Sequence, residues 1–350
     1  MLSRFKLFKL GEGLCFAALF ALSILVFLNA DEGQPKVIRI AAVGNQYGKP
    51  YASGVLGVVQ TKQLLESEFA KDGIKVEWSV LKGTGPAINE AFANRTVDFT
   101  YYGDLPAIVG IAGGLPLKII AGTGGGQNVY IIAPADSTIK SLEELKGKRV
   151  GFLKGTYLQL TFGKIIAARG WTEKDFKVYN LGQADGVAAV AAKSIDAYVA
   201  ASNGLDQATL GVAKIIYDTR QDPYNWRGSG AFAVTEEFAK KYPDITKRIL
   251  KQIVIASHWA SQPENRKEYL QISAKSGSSI TNLTTDLGGD SLKDRNNPLL
   301  NTAYRGLIQE GIDFSKANNI IRKAANVNDW IDDSYLNAAL RELGLEDYWQ

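Results

Sequence analysis

The chain has 350 residues, of which 46% are hydrophobic and 22% are charged, and its formal net charge is +4. This length and composition are typical of a globular protein with more than one hydrophobic core. Several of the positive charges precede residue 10 and no basic tract follows, so the charge pattern argues against nucleic-acid binding. The chain has one cysteine, Cys15, and one histidine, His258, which excludes a metal site built from cysteine and histidine ligands.

The first 30 residues are predicted to be a secretory signal. A basic start precedes residues 14–28, which are uncharged and mostly apolar. This apolar run is shorter than the roughly 20 residues that a membrane-spanning helix needs. We therefore predict a signal peptide over residues 1–30 with cleavage near Ala30, and an uncleaved membrane anchor is the alternative. Cleavage would remove Cys15 and leave a chain with no disulfide and no thiolate.

From Lys36 onward, short apolar strands alternate with amphipathic helices. This order predicts parallel strands with helices on both faces of a sheet. The first series has strands at 37–43, 74–80, 97–102 and 117–121, with helices at 53–71, 86–95 and 104–112. The second series has strands at 129–132, 149–152, 177–180, 197–200 and 214–217, with helices starting near 141, 157, 183 and 203. After a strand at 231–234 the chain is predicted to be mainly helical.

Glycine-rich segments separate the two series at residues 122–128 and again at residues 227–230. We interpret them as two crossings between two α/β lobes, so the fold class is a two-lobed α/β protein. Lobe 1 is then discontinuous, with residues 36–123 and 229–350, and lobe 2 has residues 124–228. Short glycine-rich crossings can absorb backbone rotation while the lobes stay rigid, so we expect hinge bending there.

The candidate site lies in the loops at the carboxyl ends of the strands, where open α/β sheets bind their ligands. Several of these loops are Gly, Ser or Thr turns that open a helix, and free N–H groups there suit an anion. Gly155 allows one such turn, and Thr156 can cap the helix that follows. The candidate ligand-binding residues are Gln46, Tyr47, Gly85, Pro86, Tyr102, Gly103, Asp104, Gln127, Asn128, Lys154, Gly155, Thr156, Tyr157, Ser202 and Trp226. Ordinary capping is the alternative for each loop, and lobe packing is the alternative for Trp226.

Catalytic interpretations have little support in the sequence. His258 lies within a predicted helix, far from the carboxyl-end loops, so a Ser-His-Asp triad is not expected. We expect His258 to have a packing or surface role. Asp98 and Asp196 each open a predicted strand and are interpreted as structural. No catalytic residue, metal ligand or cofactor is predicted.

Several segments resemble the periplasmic solute-binding proteins of ABC importers in the aliphatic sulfonate, taurine and nitrate family. The resemblance spans nearly the whole chain after the signal. The matching segments are residues 46–48, 85–92, 97–106, 139–151, 154–156, 194–198 and 330–336. Residues 139–151 carry a pattern common to class II binding proteins, whereas residues 85–86 and 102–106 are similar to the sulfonate branch.

The resemblance implies a class II two-lobed fold and a periplasmic monomer that delivers a small organic oxyanion to ABC permease subunits. A sulfonate or sulfate ester is the expected ligand. The alternatives are nitrate or another small anion, an enzyme on the same fold, and a receptor domain that senses the ligand. Residues 199–204 depart from the family, which often has a Trp-Asp-Pro-like stretch there. Smaller residues at this position imply room for a bulkier ligand body.

Overall fold

The computed structural model describes residues 33–45, 50–222, 224 and 226–350. The predicted signal peptide, Cys15, Gln46 and Tyr47 lie outside the described residues. The strands in chain order are β1 Val37–Ala42, β2 Gly44–Asn45, β3 Tyr51–Ala52, β4 Lys75–Val80, β5 Phe99–Gly103, β6 Leu117–Gly122, β7 Tyr130–Pro134, β8 Arg149–Phe152, β9 Lys177–Asn180, β10 Ala197–Ala200, β11 Ala213–Asp218 and β12 Gly230–Thr235.

Most strands are followed by a helix, and a helical segment closes the chain. The helices are α1 Gly54–Thr61, α2 Leu64–Phe69, α3 Thr84–Ala93, α4 Asp104–Ala112, α5 Tyr157–Ala167, α6 Gln183–Ala191, α7 Asn203–Thr209, α8 Glu236–Lys241, α9 Pro243–Ser261, α10 Arg266–Ala274, α11 Ile280–Leu287, α12 Leu292–Arg295, α13 Thr302–Ala317 and α14 Ser334–Leu343. No helix within the described ranges is both long and apolar enough to cross a membrane.

The first sheet has the order β4-β1-β5-β12-β6. Strand β1 runs parallel to β4 and β5, as predicted from the alternation of strands and helices. Strand β12, which follows the second crossing, runs antiparallel to both β5 and β6. The reason is that β12 does not follow a helical crossover within its own sheet. It enters directly from the second crossing and therefore runs in the opposite direction.

The second sheet has the order β9-β8-β10-β7-β11, which matches the first sheet strand for strand. Its fourth strand, β7, is again the antiparallel one and again follows a crossing. Two five-stranded sheets of this kind confirm the α/β two-lobed fold class. The two halves therefore share a topology although no internal repeat is visible in the sequence.

Matched ion pairs occupy the same place in both sheets. Asp98 accepts hydrogen bonds from the backbone N–H, Nε and Nη2 of Arg39 at 3.0, 2.9 and 2.6 Å. Asp196 accepts the same three bonds from Arg149 at 2.8, 3.1 and 2.8 Å. The bonds from Arg149 lower the pKa of Asp196. Both aspartates thus join an arginine of one strand to the start of the neighbouring strand, which agrees with the structural interpretation.

Each sheet has its own apolar core. Fully buried side chains of β1, β5, β12 and α9 meet in the first, among them Ile40, Phe99, Phe232 and Ile249. In the second, Phe152 and Phe162 pack at 5.5 Å between ring centroids. Burial of these apolar side chains is the main stabilising term for each lobe.

Several helix predictions need correction. The helix predicted over 53–71 breaks between α1 and α2, where Gln63 has a left-handed φ of 52°. The helix predicted near Ser141 is a single 3₁₀ turn, Glu143–Leu145. Helices α11 and α12 were not predicted individually, because they are short, with eight and four residues. A helix is also expected near residues 315–323, but the helix in this region, α13, begins at Thr302 and ends at Ala317.

Candidate functional site

The lobes meet where α3 of the first sheet and α5 of the second begin. Gly155 has a left-handed φ of +75°, and a Cβ atom added there would lie 3.0 Å from Cγ of Pro86. The backbone of one lobe therefore contacts the first turn of a helix of the other. Neither N-cap residue, Gly83 or Thr156, makes a side-chain capping hydrogen bond. Two helix N-termini with their partial positive charge thus lie at one boundary between the lobes. We call this boundary, where Gly155 meets Pro86, the seam.

A second close approach fixes α3 against α4. A Cβ atom at Gly85 would lie 2.5 Å from Cγ of Pro106, so only glycine fits without a shift. The predicted residues Gly85 and Pro86 therefore have distinct roles: Gly85 packs within the first lobe, and Pro86 contacts the second.

Tyr157 lies in the seam at the first position of α5. A Cβ atom at Gly103 would lie 3.3 Å from Cβ of Tyr157, and one at Gly228 would lie 2.5 Å from its Cδ2. The two glycines thus allow the Tyr157 ring to pass between β5 and the second crossing. Burial, together with the nearby carboxylates of Asp286 and Asp104, raises the pKa of the Tyr157 hydroxyl above its usual range. Tyr157 is therefore a neutral hydroxyl beside the seam.

Asp104 is buried and already fully occupied. Its carboxylate accepts hydrogen bonds from the backbone N–H groups of Leu105 and Ser229, at 2.6 and 3.1 Å. These bonds join the start of α4 to the second crossing. Burial raises the pKa of Asp104 above its ordinary value of 3.8. A carboxylate in this role supplies no donor to an anion, so Asp104 positions the backbone of the seam instead.

The raised pKa of Asp104 predicts a pH effect on stability. The folded chain holds this proton more tightly than the unfolded chain, so stability falls as pH rises from about 3.8 through the folded pKa. Asp104→Asn removes this titration. We expect the urea midpoint of the parent to decline, relative to that of Asp104→Asn, between pH 4 and pH 7. Asp294→Asn, on an exposed carboxyl, is the control. An equal difference between parent and Asp104→Asn at both pH values would contradict the assignment.

Of two adjacent tyrosines in β5, only one faces the crossing. Tyr102 points into the core of the first lobe, and its hydroxyl has no partner among the described residues. Tyr101 lies on the other face, where its hydroxyl donates to the carbonyl oxygen of Thr123 at 3.1 Å. Its ring lies 3.4 Å from a Cβ atom placed at Gly54, beside the start of α1. Tyr102 is the residue named from the sequence, and Tyr101 is a further candidate from the same strand.

Three predicted donors have other partners. The Thr156 hydroxyl donates to the carbonyl oxygen of Leu153 at 2.7 Å, so it braces the loop rather than capping α5. Lys154 lies 3.4 Å from Glu173 on the surface of the second lobe. The Asn128 amide donates to the backbone and side-chain oxygens of Asp286, at 2.8 and 3.0 Å. Each of these three groups already has a partner within the protein.

The remaining predicted residues border the crossings. The backbone of Gln127 pairs with that of Gly228, which ties the two crossings together. Trp226 packs against the core of the second lobe, and its Nε1 is buried with no partner in the described ranges. Its ring lies 5.7 Å from that of Tyr224. Ser202 directly precedes α7 and is half-buried.

Sequence reasoning missed an ionic cluster beside the first crossing. Asp290 accepts from Arg227 at 2.6 Å and from Arg295 at 2.8 Å. Arg295 also donates to the backbone oxygen of Asp286 at 2.7 Å. A Cβ atom at Gly126 would lie 2.9 Å from Nε of Arg295, so the glycine run of the crossing makes room for this arginine. The unusual run of three glycines was the only signal in the sequence.

His258 lies outside this region of the molecule. Its ring packs edge-on against Tyr348 at 4.5 Å between centroids, and its Nε2 lies 2.8 Å from Nε2 of Gln262. Within the part of the chain that the structure describes, no cluster of three acidic or histidine residues could hold a metal ion.

A family model described as "NMT1/THI5 like" matches residues 69–265, more than half of the chain. The chain belongs to the NMT1/THI5-like family. A relative of this NMT1/THI5-like chain, named "Putative aliphatic sulfonates-binding protein" in Bacillus subtilis (strain 168), is 26% identical over 319 residues. The match covers 90% of this chain and 91% of the relative.

Several solved structures are similar to this chain over most of its length. The periplasmic sulfonate-binding protein SsuA from Methylobacillus flagellatus KT is 31% identical, with a TM-score of 0.77. That match covers 90% of this chain and 97% of the other. The desulfurization enzyme DSZB has a TM-score of 0.64 at 15% identity, covering 88% of this chain and 99% of the enzyme, which shows a shared fold alone. The predicted resemblance to sulfonate-binding proteins is confirmed.

Proposed function

We propose that this chain captures an organosulfur oxyanion, a sulfonate or a sulfate ester, between its lobes and delivers it to an ABC importer. The observation that carries the proposal is the contact between Gly155 and Pro86, which brings the first turns of α3 and α5 together. Backbone N–H groups from both lobes can then bind one anion, and such a ligand favours the closed arrangement. The sulfonate-binding relatives support the same class of ligand.

The charge balance around the seam supports a monoanion. Arg227 pairs with Asp290, Arg295 pairs with Asp290 and Asp286, and Lys154 pairs with Glu173, so each of these cations has a carboxylate partner. A dianion such as phosphate would ask for additional free Lys or Arg. Neutral donors at helix N-termini are sufficient for one negative charge.

Aromatic side chains favour an organic ligand over nitrate. Tyr101, Tyr157 and Trp226 border the seam and the crossings and are only partly buried. Such rings offer apolar surface to the carbon body of a ligand. Nitrate has no such body and would leave this surface uncovered.

The proposal extends to organisation and partners. We propose lobe 1 at 36–123 and 229–350, lobe 2 at 124–228, and a periplasmic monomer that docks on permease subunits. An enzyme on this fold is the principal alternative, because DSZB shares the architecture. The packing of His258 against Tyr348 and Gln262 favours binding over catalysis, since it leaves the histidine no role at the seam.

A thermal-shift panel tests the ligand class. A bound ligand stabilises the folded state by mass action and so raises the melting temperature. At a free ligand concentration of a hundred times Kd the gain in the free energy of unfolding is about 2.7 kcal/mol. We expect alkylsulfonates, arylsulfonates or alkyl sulfates to raise the melting temperature, and phosphate to have no effect. A response to nitrate or phosphate alone would overturn the organosulfur assignment. Turnover of any sulfonate or sulfate ester by purified protein would overturn the binding role.

A further inference from the structure

Residues 279–295, here called the strap, lie between the two lobes. The strap comprises the N-cap Ser279, α11 and α12. It belongs to the C-terminal helical segment, most of which packs on the first lobe, although Glu310 and Phe314 of α13 also contact α5 of the second lobe. The polar side of the strap contacts the second lobe as well.

The attachment to the first lobe is apolar and buried. Leu287 and Leu292 of the strap form a cluster with Leu270 of α10. The strap ends beside the first crossing, where Gly125 N–H donates to the carbonyl oxygen of Asp294 at 3.3 Å. Separating these apolar groups would expose them to water, so the strap stays with the first lobe.

The attachment to the second lobe is polar, and five residues of the strap take part in it: Ser279, Asn282, Thr285, Asp286 and Asp290. Asn282 donates to Asp206 of α7 at 2.6 Å. Asp286 accepts from the Tyr130 hydroxyl of β7 at 2.7 Å, besides its bonds from Asn128. Asp290 accepts from Arg227 of the second crossing. Each such bond exchanges for a bond to water at a small net cost, so this side of the strap can release reversibly.

Asp286 is the central fastening point. Its side chain is only 13% exposed, and that of Arg295 beside it is 11% exposed. Oδ1 of Asp286 accepts from the second lobe, whereas Oδ2 lies 3.4 Å from Nη1 of Arg295 within the strap. One carboxylate thus joins the strap's arginine to two residues that begin the second sheet.

We propose that the strap locks the second lobe onto the first, and that Asp286 is the positioning residue that sets how long the closed state lasts. Because the ligand proposed above would be held in the seam, the lock also sets its dissociation rate; this part rests on the proposed function. The ligand enters while the lobes are apart, so loss of Asp286 does not slow association.

Pulsed EPR tests the lock without a ligand. Spin labels are attached at Lys174→Cys on the second lobe and Lys240→Cys on the first, both exposed, in the full chain with Cys15→Ser. We expect Asp286→Ala to lengthen the interlobe distance distribution, and Tyr130→Phe, which removes one donor only, to do so less. Asp294→Ala, an exposed carboxyl of the same strap, is the matched control and is expected to match the parent. Unchanged distances in both Asp286→Ala and Tyr130→Phe would overturn the lock.

Stopped-flow binding of 1-butanesulfonate tests the consequence. We expect Asp286→Ala to dissociate at least tenfold faster than the parent, with an association rate no lower than that of the parent. Equal dissociation rates in Asp286→Ala, Asp294→Ala and the parent would overturn the role of the lock in ligand retention. If the parent fails to bind this sulfonate or any other organosulfur anion while the EPR distances respond to Asp286→Ala, the proposed function is contradicted and the lock stands.

Discussion

Gly155→Ala is expected to weaken ligand binding at least tenfold. The new Cβ atom would lie 3.0 Å from Cγ of Pro86, on the opposite lobe, so the seam could close only if α3 moved away. Backbone donors placed for a charged ligand would then lengthen, and each hydrogen bond to a charged group contributes about 1.5–3 kcal/mol. Isothermal titration with the strongest organosulfur ligand of the panel measures the loss.

The control for this substitution separates closure from backbone strain. Gly170 has a φ of +73°, almost the same as the +75° of Gly155, but a Cβ atom there meets no atom within 4 Å. Both Ala variants therefore lose about 1–2 kcal/mol of stability, because a residue with a Cβ atom is strained in the left-handed conformation. Only Gly155→Ala should lose affinity. If Gly170→Ala and Gly155→Ala bound the ligand equally well, contact at the seam would have no part in binding.

Asp98→Asn is expected to lower stability by about 2–3 kcal/mol, near the lower end of the range for breaking a buried ion pair. In the parent, the guanidinium of Arg39 donates two hydrogen bonds to Asp98 and the backbone N–H of Arg39 donates a third. The amide introduced by Asp98→Asn would place an NH₂ group against this guanidinium. The Asp98 side chain is 7% exposed, while that of Arg39 is 39% exposed, so part of the loss is screened by water. Urea denaturation monitors the change.

The second lobe contains the comparison for this prediction. Asp196 accepts the same set of bonds from Arg149, but its side chain is 25% exposed. Asp196→Asn should therefore cost less, about 1–2 kcal/mol, since water reaches the broken pair more easily. Because the hydrogen bonds match, the difference between the two variants measures burial. Equal losses would mean that burial has little influence on these pairs.

Much of the fold could be predicted because its signals are local. Apolar alternation placed the ten strands of the two sheets, and the glycine runs placed the two crossings. The antiparallel direction of β7 and β12 could not be predicted from alternation. That pattern shows which residues are buried but not how the chain enters the sheet.

The site could be predicted only as a set of loops. Gly85, Pro86, Gly103 and Gly155 do lie at the seam, since turn chemistry depends on neighbouring residues. The prediction named Tyr102 and not its neighbour Tyr101, because alternation in a strand buried on both faces does not distinguish those faces. The pairing of Asn128 with Asp286 spans 158 residues, and no local pattern reports such a contact.

The strand order also determines when each half of the protein can be completed during synthesis. All five strands of the second sheet lie within residues 130–218, so that sheet can form as soon as this stretch has emerged. In the first sheet β6 pairs with β12, which ends at Thr235, and through Ile119 it also bridges to Ile331. Residues 117–122 must therefore wait, with an unpaired backbone, for more than a hundred further residues. The first sheet therefore begins to be synthesised before the second sheet but is completed after it. A chaperone that prevents aggregation of nascent chains would be needed most at β6.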